Sequence, residues 1–337
     1  MVSKHCVINE SCMNGRIGTD SSIVVTIRCT AYNHEGFIRQ CLDGFVMQKT
    51  DFRFEAVVHD DASTDSTAAI IREYAEKYPD IIKPIFETEN QYSKHDGSLR
   101  RIMDAQTRGK YVALCEGDDY WTDPYKLQKQ VDFLEAHPDY VMCSHQFNQY
   151  WQEEGRLEEI ADPHFKGADY DLLNLIGGRW LTQTLTVMYR RSALNLQDYE
   201  KYGMSMDMIL FYALLKQGKG YCFPDVMAVY RCHKGGVWSE VSLNKQRLME
   251  FKARIAIYNK EQSYEAALFL AYQFAKALSR LLLLKHWEMF MTVAHILNKH
   301  FGWRFTSKIY LQKLILGHGL VWENVADECA QHARKRI

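Results

Sequence analysis

The chain has 337 residues, 47% of them hydrophobic and 25% charged, with a formal net charge of −1. A chain of this size and composition buries a full core, with room for two domains or for one domain and an extension. Its near-neutral charge supplies no basic field and excludes nucleic acid as a partner, and nine cysteines without a C-x-x-C pair point to a reducing compartment rather than a disulfide frame.

Residues 1–21 are polar, lack the apolar core of a signal peptide and read as an N-terminal arm. Residues 23–29 form a first strand, which Thr30, Ala31, Tyr32, Asn33 and His34 leave in a polar turn. A helix follows, with Phe37, Ile38, Cys41, Leu42 and Phe45 on one face. A second strand from Phe54 runs into Asp60 and Asp61, and Asp65 or Ser66 then caps a helix through Ile70, Ile71, Tyr74 and Ala75. A short strand at 81–86 and a helix at 99–108 lead to an apolar strand from Tyr111 that ends at Asp118, Asp119, Tyr120 and Trp121. Pro124 opens a helix that stops at His137 and Pro138, and residues 140–143 give another strand. Residues 144–168 read as acidic and irregular, 180–189 as strand-like, 206–216 as a helix, and the stretches at Tyr221 and 226–230 as strands before a loop holding Arg231 and His233.

From residue 241 onward helical spacing dominates, with Leu268, Ala271, Tyr272, Ala275, Leu278 and Leu282 in one stripe. Its most hydrophobic part, 266–284, carries Lys276 and Arg280 and so fails as a membrane span. The expected architecture is α/β, a mainly parallel, Rossmann-like sheet flanked by helices, with an all-helical C-terminal extension.

Two strand ends of such a sheet deliver paired acids into one crevice, where open α/β sheets bind ligands. Adjacent carboxylates repel unless a cation lies beside them, and hard divalent cations prefer oxygen ligands. The plainer alternatives are that Asp60 and Asp61 cap the next helix, that Asp118 and Asp119 form a solvated turn, and that Trp121 packs beneath them.

Three segments in order, the first strand with Thr30-Ala-Tyr32-Asn33, then Val-His-Asp60-Asp61-Ala-Ser-Thr-Asp65, then Glu116-Gly-Asp118-Asp119, resemble a family 2 glycosyltransferase with the GT-A fold, of the bacterial surface-polysaccharide type. The resemblance covers residues 22 to about 239 and implies a domain at 22–240, between the arm at 1–21 and the helical extension at 241–337. It implies metal-dependent, inverting transfer of a sugar from a nucleotide-diphosphate sugar, a UDP-sugar, to a hydroxyl of a glycan or lipid-linked glycan.

By position, Asp119 would ligate Mg²⁺ or Mn²⁺ and Asp118 would meet the ribose or the metal shell. Asp61 would bond the base, framed by Thr30 and Tyr32. Arg100 would lie near the donor, and Arg231 or His233 would approach the diphosphate. Asp207 would be the base that deprotonates the acceptor, although Met206 stands before it where the family carries an acid. Gln183 and Thr184 would shape the acceptor side.

The helical extension has two readings: packing against the catalytic domain or a second copy, or peripheral contact with a membrane, a use that Lys299, Arg304, Lys308 and Lys313 leave open. The expected location is cytoplasmic, extending to the inner face of the cell membrane. Two other functions stay open: a catalytically silent sugar-nucleotide binding or scaffold protein, and a nucleotidyltransferase. The turn at Thr30 to His34 lacks the glycine-rich basic loop that a nucleotidyltransferase needs.

Overall fold

The computed structural model describes residues 22–159, 167–176, 182–203, 206–236, 241–271 and 287–302. Strands β1 (Val25–Ala31), β2 (Phe54–Asp60), β3 (Ile82–Phe86) and β4 (Tyr111–Leu114) form a parallel unit in the order β3-β2-β1-β4. Helices α1 (Ile38–Val46), α2 (Thr67–Lys77), α3 (Ser98–Gln106) and α4 (Lys126–Ala136) connect or follow these strands. All four residues of β4 are buried, which is why it reads as an unbroken apolar run rather than an alternation. On α1 the buried face is Ile38, Cys41, Leu42, Gly44 and Phe45, the stripe that its spacing predicts.

Beyond β4 the sheet departs from the parallel expectation. β5 (Tyr120–Trp121), β6 (Tyr140–Trp151), β7 (Arg156–Glu158), β8 (Ala168–Tyr170), β9 (Met188–Arg190) and β10 (Lys219–Cys232) complete it, and the order continues β4-β9-β6-β10-β5. β9 runs antiparallel to both β4 and β6, and β5 antiparallel to β10, so the sheet is mixed. Parallel neighbours need a long crossover. β4 instead passes through a short acidic turn into β5, which lies at the far edge beside β10, and the neighbour of β4 on this side, β9, returns antiparallel to it.

Two further expectations are corrected. Residues 144–151 are not irregular: they continue β6, paired with β10 on one side and with β7 on the other. Their polar composition hides a strand whose outer half is only partly buried. Of the strand-like run at 180–189, residues 180 and 181 lie outside the described residues, and the rest holds a 3₁₀ turn at Thr184–Thr186 followed by β9.

Among the described residues the remaining α-helices are α5 (Leu172–Ile176), α6 (Leu196–Glu200), α7 (Asp207–Leu215), α8 (Leu243–Glu261) and α9 (Trp287–Phe301). α7 buries Met208, Ile209, Phe211, Tyr212, Leu214 and Leu215, because it is enclosed on all sides. Part of that enclosure comes from the helical extension: Phe251, Ile257, Phe269, Val293 and Leu297 share one apolar cluster with α7, and Phe269 stacks on Tyr212 with centroids 5.7 Å apart. Among the described residues no helix is long and apolar enough to cross a membrane. The arm at 1–21 and Arg304, Lys308 and Lys313 lie outside the described residues.

Candidate active site

The loops after β1 and β2 are built from side chains that satisfy each other's backbone. The Asn33 N–H donates to Ser63 Oγ at 2.9 Å, and the Thr64 N–H donates to Asn33 Oδ1 at 2.8 Å. Asp65 accepts from the N–H groups of Glu35 and Thr67 at 3.0 and 2.9 Å, while Glu35 accepts from Ser66 N–H at 2.9 Å. The free donors at the start of α2 are thus met by acids from its own loop and the neighbouring one. Asn33 and Ala62 both take left-handed φ values, 55° and 62°, uncommon for residues with a Cβ and held here by this bracing.

Asp61 follows directly and is 3% exposed. Its two carboxylate oxygens accept the N–H groups of Gln91 and Tyr92 at 2.7 and 2.9 Å, so this one side chain fixes the loop that leads toward α3. Thr30 stands on the adjacent strand, its carbonyl accepting the Gly117 N–H at 2.9 Å, and Tyr32 is 45% exposed just past the end of β1.

β4 delivers Glu116, Gly117, Asp118 and Asp119 to the same edge. A Cβ at Gly117 would come within 2.9 Å of His34 Nδ1 and 3.0 Å of Ala31 Cβ, so only glycine lets the acidic turn lie against β1. Asp119 is buried and accepts the Arg231 N–H at 2.7 Å. Burial, then the charges of Asp118 and Glu116, push its pKa well above the ordinary carboxylate value. Glu116 is raised in the same way, by burial and then by Asp207 and Asp118. These acids are close enough to resist ionising together.

Asp118 goes the other way. Burial acts to raise it, but the bond from His233 and the nearby His34 hold it below its usual value. His233 Nε2 lies 3.1 Å from Asp118 Oδ2, and His34 Nε2 lies 3.8 Å from the same oxygen. His233 Nδ1 sits 2.8 Å from the Lys234 carbonyl. A carbonyl can only accept, so Nδ1 donates; the Asp118 carboxylate, held ionised by its lowered pKa, accepts from Nε2, and a ring protonated on both nitrogens is an imidazolium, in keeping with a pKa raised by the Asp118 bond. Burial keeps His34 on the neutral side, and among the described residues its buried Nδ1 has no hydrogen-bond partner.

Asp207 opens α7 and accepts the Thr184 hydroxyl at 2.8 Å. Its carboxylate reaches solvent but is crowded by protein, and the lost hydration raises its pKa. Its charge helps to raise the Glu116 pKa, so Asp207 lies within electrostatic reach of the β4 turn. Gln183, beside Thr184, caps the 3₁₀ turn.

Two arginines named from the sequence have other employment. Arg100 bonds Asp104 and Glu200, both at 2.9 Å, and lies over Tyr199; it ties α3 to α6. Arg231 is 6% exposed, with Nε, Nη1 and Nη2 all bonded within the protein, so its guanidinium is not a ready diphosphate contact. His34 and Gln40 join the site with no signal in the sequence, since each reads there as an ordinary polar turn or helix residue.

The donor set suits a hard dication: carboxylates whose mutual repulsion a cation would relieve, with no thiolate presented to it. Among the described residues no three His, Cys, Asp or Glu side chains are already grouped as a metal centre. One or two carboxylates completed by phosphate oxygens is the arrangement Mg²⁺-type ions ordinarily take.

The sequence profile described as Glycosyl transferase family 2 matches residues 26–201, over half of the chain. An uncharacterized Mycobacterium tuberculosis protein, Rv1520, is 37% identical over 226 residues, covering 67% of this chain and 64% of the relative, so the match spans just under two thirds of that protein. A provisional teichuronic acid biosynthesis glycosyltransferase of Bacillus subtilis, TuaG, is 27% identical over 227 residues, covering 66% of this chain and 82% of TuaG. Among solved structures, residues 1–349 of S. aureus TarS in complex with UDP-GlcNAc superpose with a TM-score of 0.60 at 19% identity, over 82% of this chain and 81% of that one. The shared fold is GT-A.

Proposed function

We propose that this chain, which belongs to glycosyl transferase family 2, transfers a sugar from a UDP-sugar to a hydroxyl of a glycan or lipid-linked glycan in surface-polysaccharide assembly. The observation that carries this reading is the row of Glu116, Asp118 and Asp119 at the end of β4, with Asp207 at the start of α7 within electrostatic reach of Glu116. Such an arrangement offers anion-handling on one side and a base on the other.

In this reading Asp61, Thr30 and Tyr32 receive the heterocycle. Each Asp61 oxygen takes one backbone N–H and keeps a lone pair for the N–H of a uracil. Asp119, with Asp118 beside it, would hold Mg²⁺ or Mn²⁺, which supplies charge stabilisation for the departing diphosphate without a proton donor. The His233 imidazolium adds a second positive group beside Asp118. Asp207, raised by its surroundings, is suited to take the proton of the acceptor hydroxyl, because a base works best with a pKa nearer the working pH. Thr184 orients it through their shared hydrogen bond. A base opposite the leaving group gives a single displacement and inversion. The TarS complex with UDP-GlcNAc and the name of TuaG support the donor and the product class.

The test is a panel of UDP- and GDP-sugars, each with Mn²⁺, Mg²⁺ or chelator, scored for release of nucleoside diphosphate and for thermal stabilisation. One UDP-sugar is expected to stand out and to need metal. A flat response across all donors would count against the proposal.

A further inference from the structure

We propose that Arg231 is a positioning residue that, with Gln40 and Gln152, locks the Asp118–Asp119 turn in its cation-binding geometry; this rests on the donor and metal reading above. β10 grips that turn at two points. The Arg231 backbone N–H takes one Asp119 carboxylate oxygen at 2.7 Å, and its side-chain Nε donates to the Asp118 carbonyl at 2.8 Å. Among the described residues the other Asp119 oxygen takes no hydrogen bond and is left for a ligand.

The guanidinium is itself held. Nη1 donates to Gln152 Oε1 at 2.5 Å and Nη2 to Gln40 Oε1 at 2.6 Å. The rings of Phe37, Tyr120 and Tyr150 surround it, with centroids 5.0, 5.1 and 5.6 Å away. A planar fork with donors in fixed directions can meet three acceptors at once; an ammonium cannot reproduce it. The clamp therefore gathers α1, the end of β6 and β10 onto two consecutive residues of the acidic turn. Outer partners of this kind set ligand orientation, and their loss typically weakens metal affinity ten- to a hundred-fold.

Gln40 and Gln152 are exposed, so their substitution opens no cavity in the core. Calorimetric titration of UDP into the full-length protein, with and without MnCl₂, tests the clamp. The Gln40→Ala/Gln152→Ala double variant should need about ten- to a hundred-fold more Mn²⁺ for half-maximal UDP binding, with metal-free UDP affinity unchanged. Arg231→Lys should behave like the double variant, and Gln40→Glu, which keeps the acceptor, should recover the Mn²⁺ response that Gln40→Ala loses. An unchanged Mn²⁺ requirement in both the double variant and Arg231→Lys would overturn the inference. So would an equal loss of UDP affinity in Arg231→Lys with and without metal, the mark of a direct phosphate contact. Wild-type protein that binds no UDP would overturn the donor reading instead, and this inference with it.

Discussion

In the proposed mechanism Asp119 and Asp207 would carry opposite duties with the same functional group, and their surroundings separate them. Asp119 is enclosed and anchored by the Arg231 N–H, whereas Asp207 reaches solvent and is steadied by the Thr184 hydroxyl. Asp119→Asn is expected to lower donor turnover by about a thousand-fold while the protein still folds, read as kcat/KM at saturating Mn²⁺. Asp207→Asn should lower it by about a hundred- to ten-thousand-fold with donor affinity retained; near-normal turnover would remove Asp207 from the mechanism.

The His233 and Asp118 pair makes a signed prediction for stability. His233 is raised in the fold, so its contribution is complete below its unfolded pKa and is lost as the pH rises through the folded value. Asp118 is lowered, so its contribution is present above its unfolded pKa and is lost on acidification through the folded value. The stability difference between wild type and His233→Gln should therefore be largest in the mildly acidic range and shrink above neutrality, as measured by urea unfolding. The acids at the strand ends are legible in the sequence because packing alone gives no reason for a charged pair to close an apolar run. The roles of Arg100 and Arg231 are not, since their partners Glu200 and Gln40 lie 100 and 191 residues away and leave no local trace.

At the level of elements, α4 contains a buried lysine that looks like a surface residue in the sequence. Lys126 is the first residue of α4, is fully buried, donates to Gln130 Oε1 at 2.7 Å and lies 4.0 Å from the Trp121 ring centroid. Gln130 in turn donates to the Thr186 carbonyl at 2.9 Å, and Trp121 donates to the Leu185 carbonyl at 2.9 Å. Lys126 thus supports the layer directly beneath the acidic turn. Burial lowers its pKa to about 7, against weaker opposing effects from Cys115, Cys143 and Asp123. The folded protein sheds this proton well before the unfolded chain does. Relative to Lys126→Met, wild type should therefore gain up to about 1.4 kcal/mol per pH unit between roughly pH 7 and 10. Parallel urea titrations of the two proteins measure it, and identical slopes would show that Lys126 is not protonated differently in the two states.

The early βα units are readable because period and turn chemistry agree there. β6 is hidden past residue 143 because its polar outer half is held by pairing with β7 and β10, which no local pattern records. β9 looks longer in the sequence than it is, because an apolar run at a 3₁₀ turn resembles a strand.

For the whole molecule, the parallel half-sheet and the mixed half-sheet do different work. The first places the loops of β1, β2 and β4 along one edge; the second brings Arg231 and His233 back to it along β10. Helical alternation announces the first half but says little about the second, whose strands are joined without regular crossovers. The described part of the C-terminal helices joins the core around α7, so it should unfold with the rest. Phe269→Ala, which empties a fully buried site stacked on Tyr212, is expected to cost about 3–5 kcal/mol and to leave one cooperative urea transition. A second, separate transition would show the helical extension to be an independent unit.

The most direct measurement is an anomalous-difference map from crystals grown with UDP and Mn²⁺. The manganese peak is expected about 2 Å from the Asp119 carboxylate, with the diphosphate on its far side and the base near Asp61. A peak elsewhere, or UDP lying away from the end of β4, would contradict it.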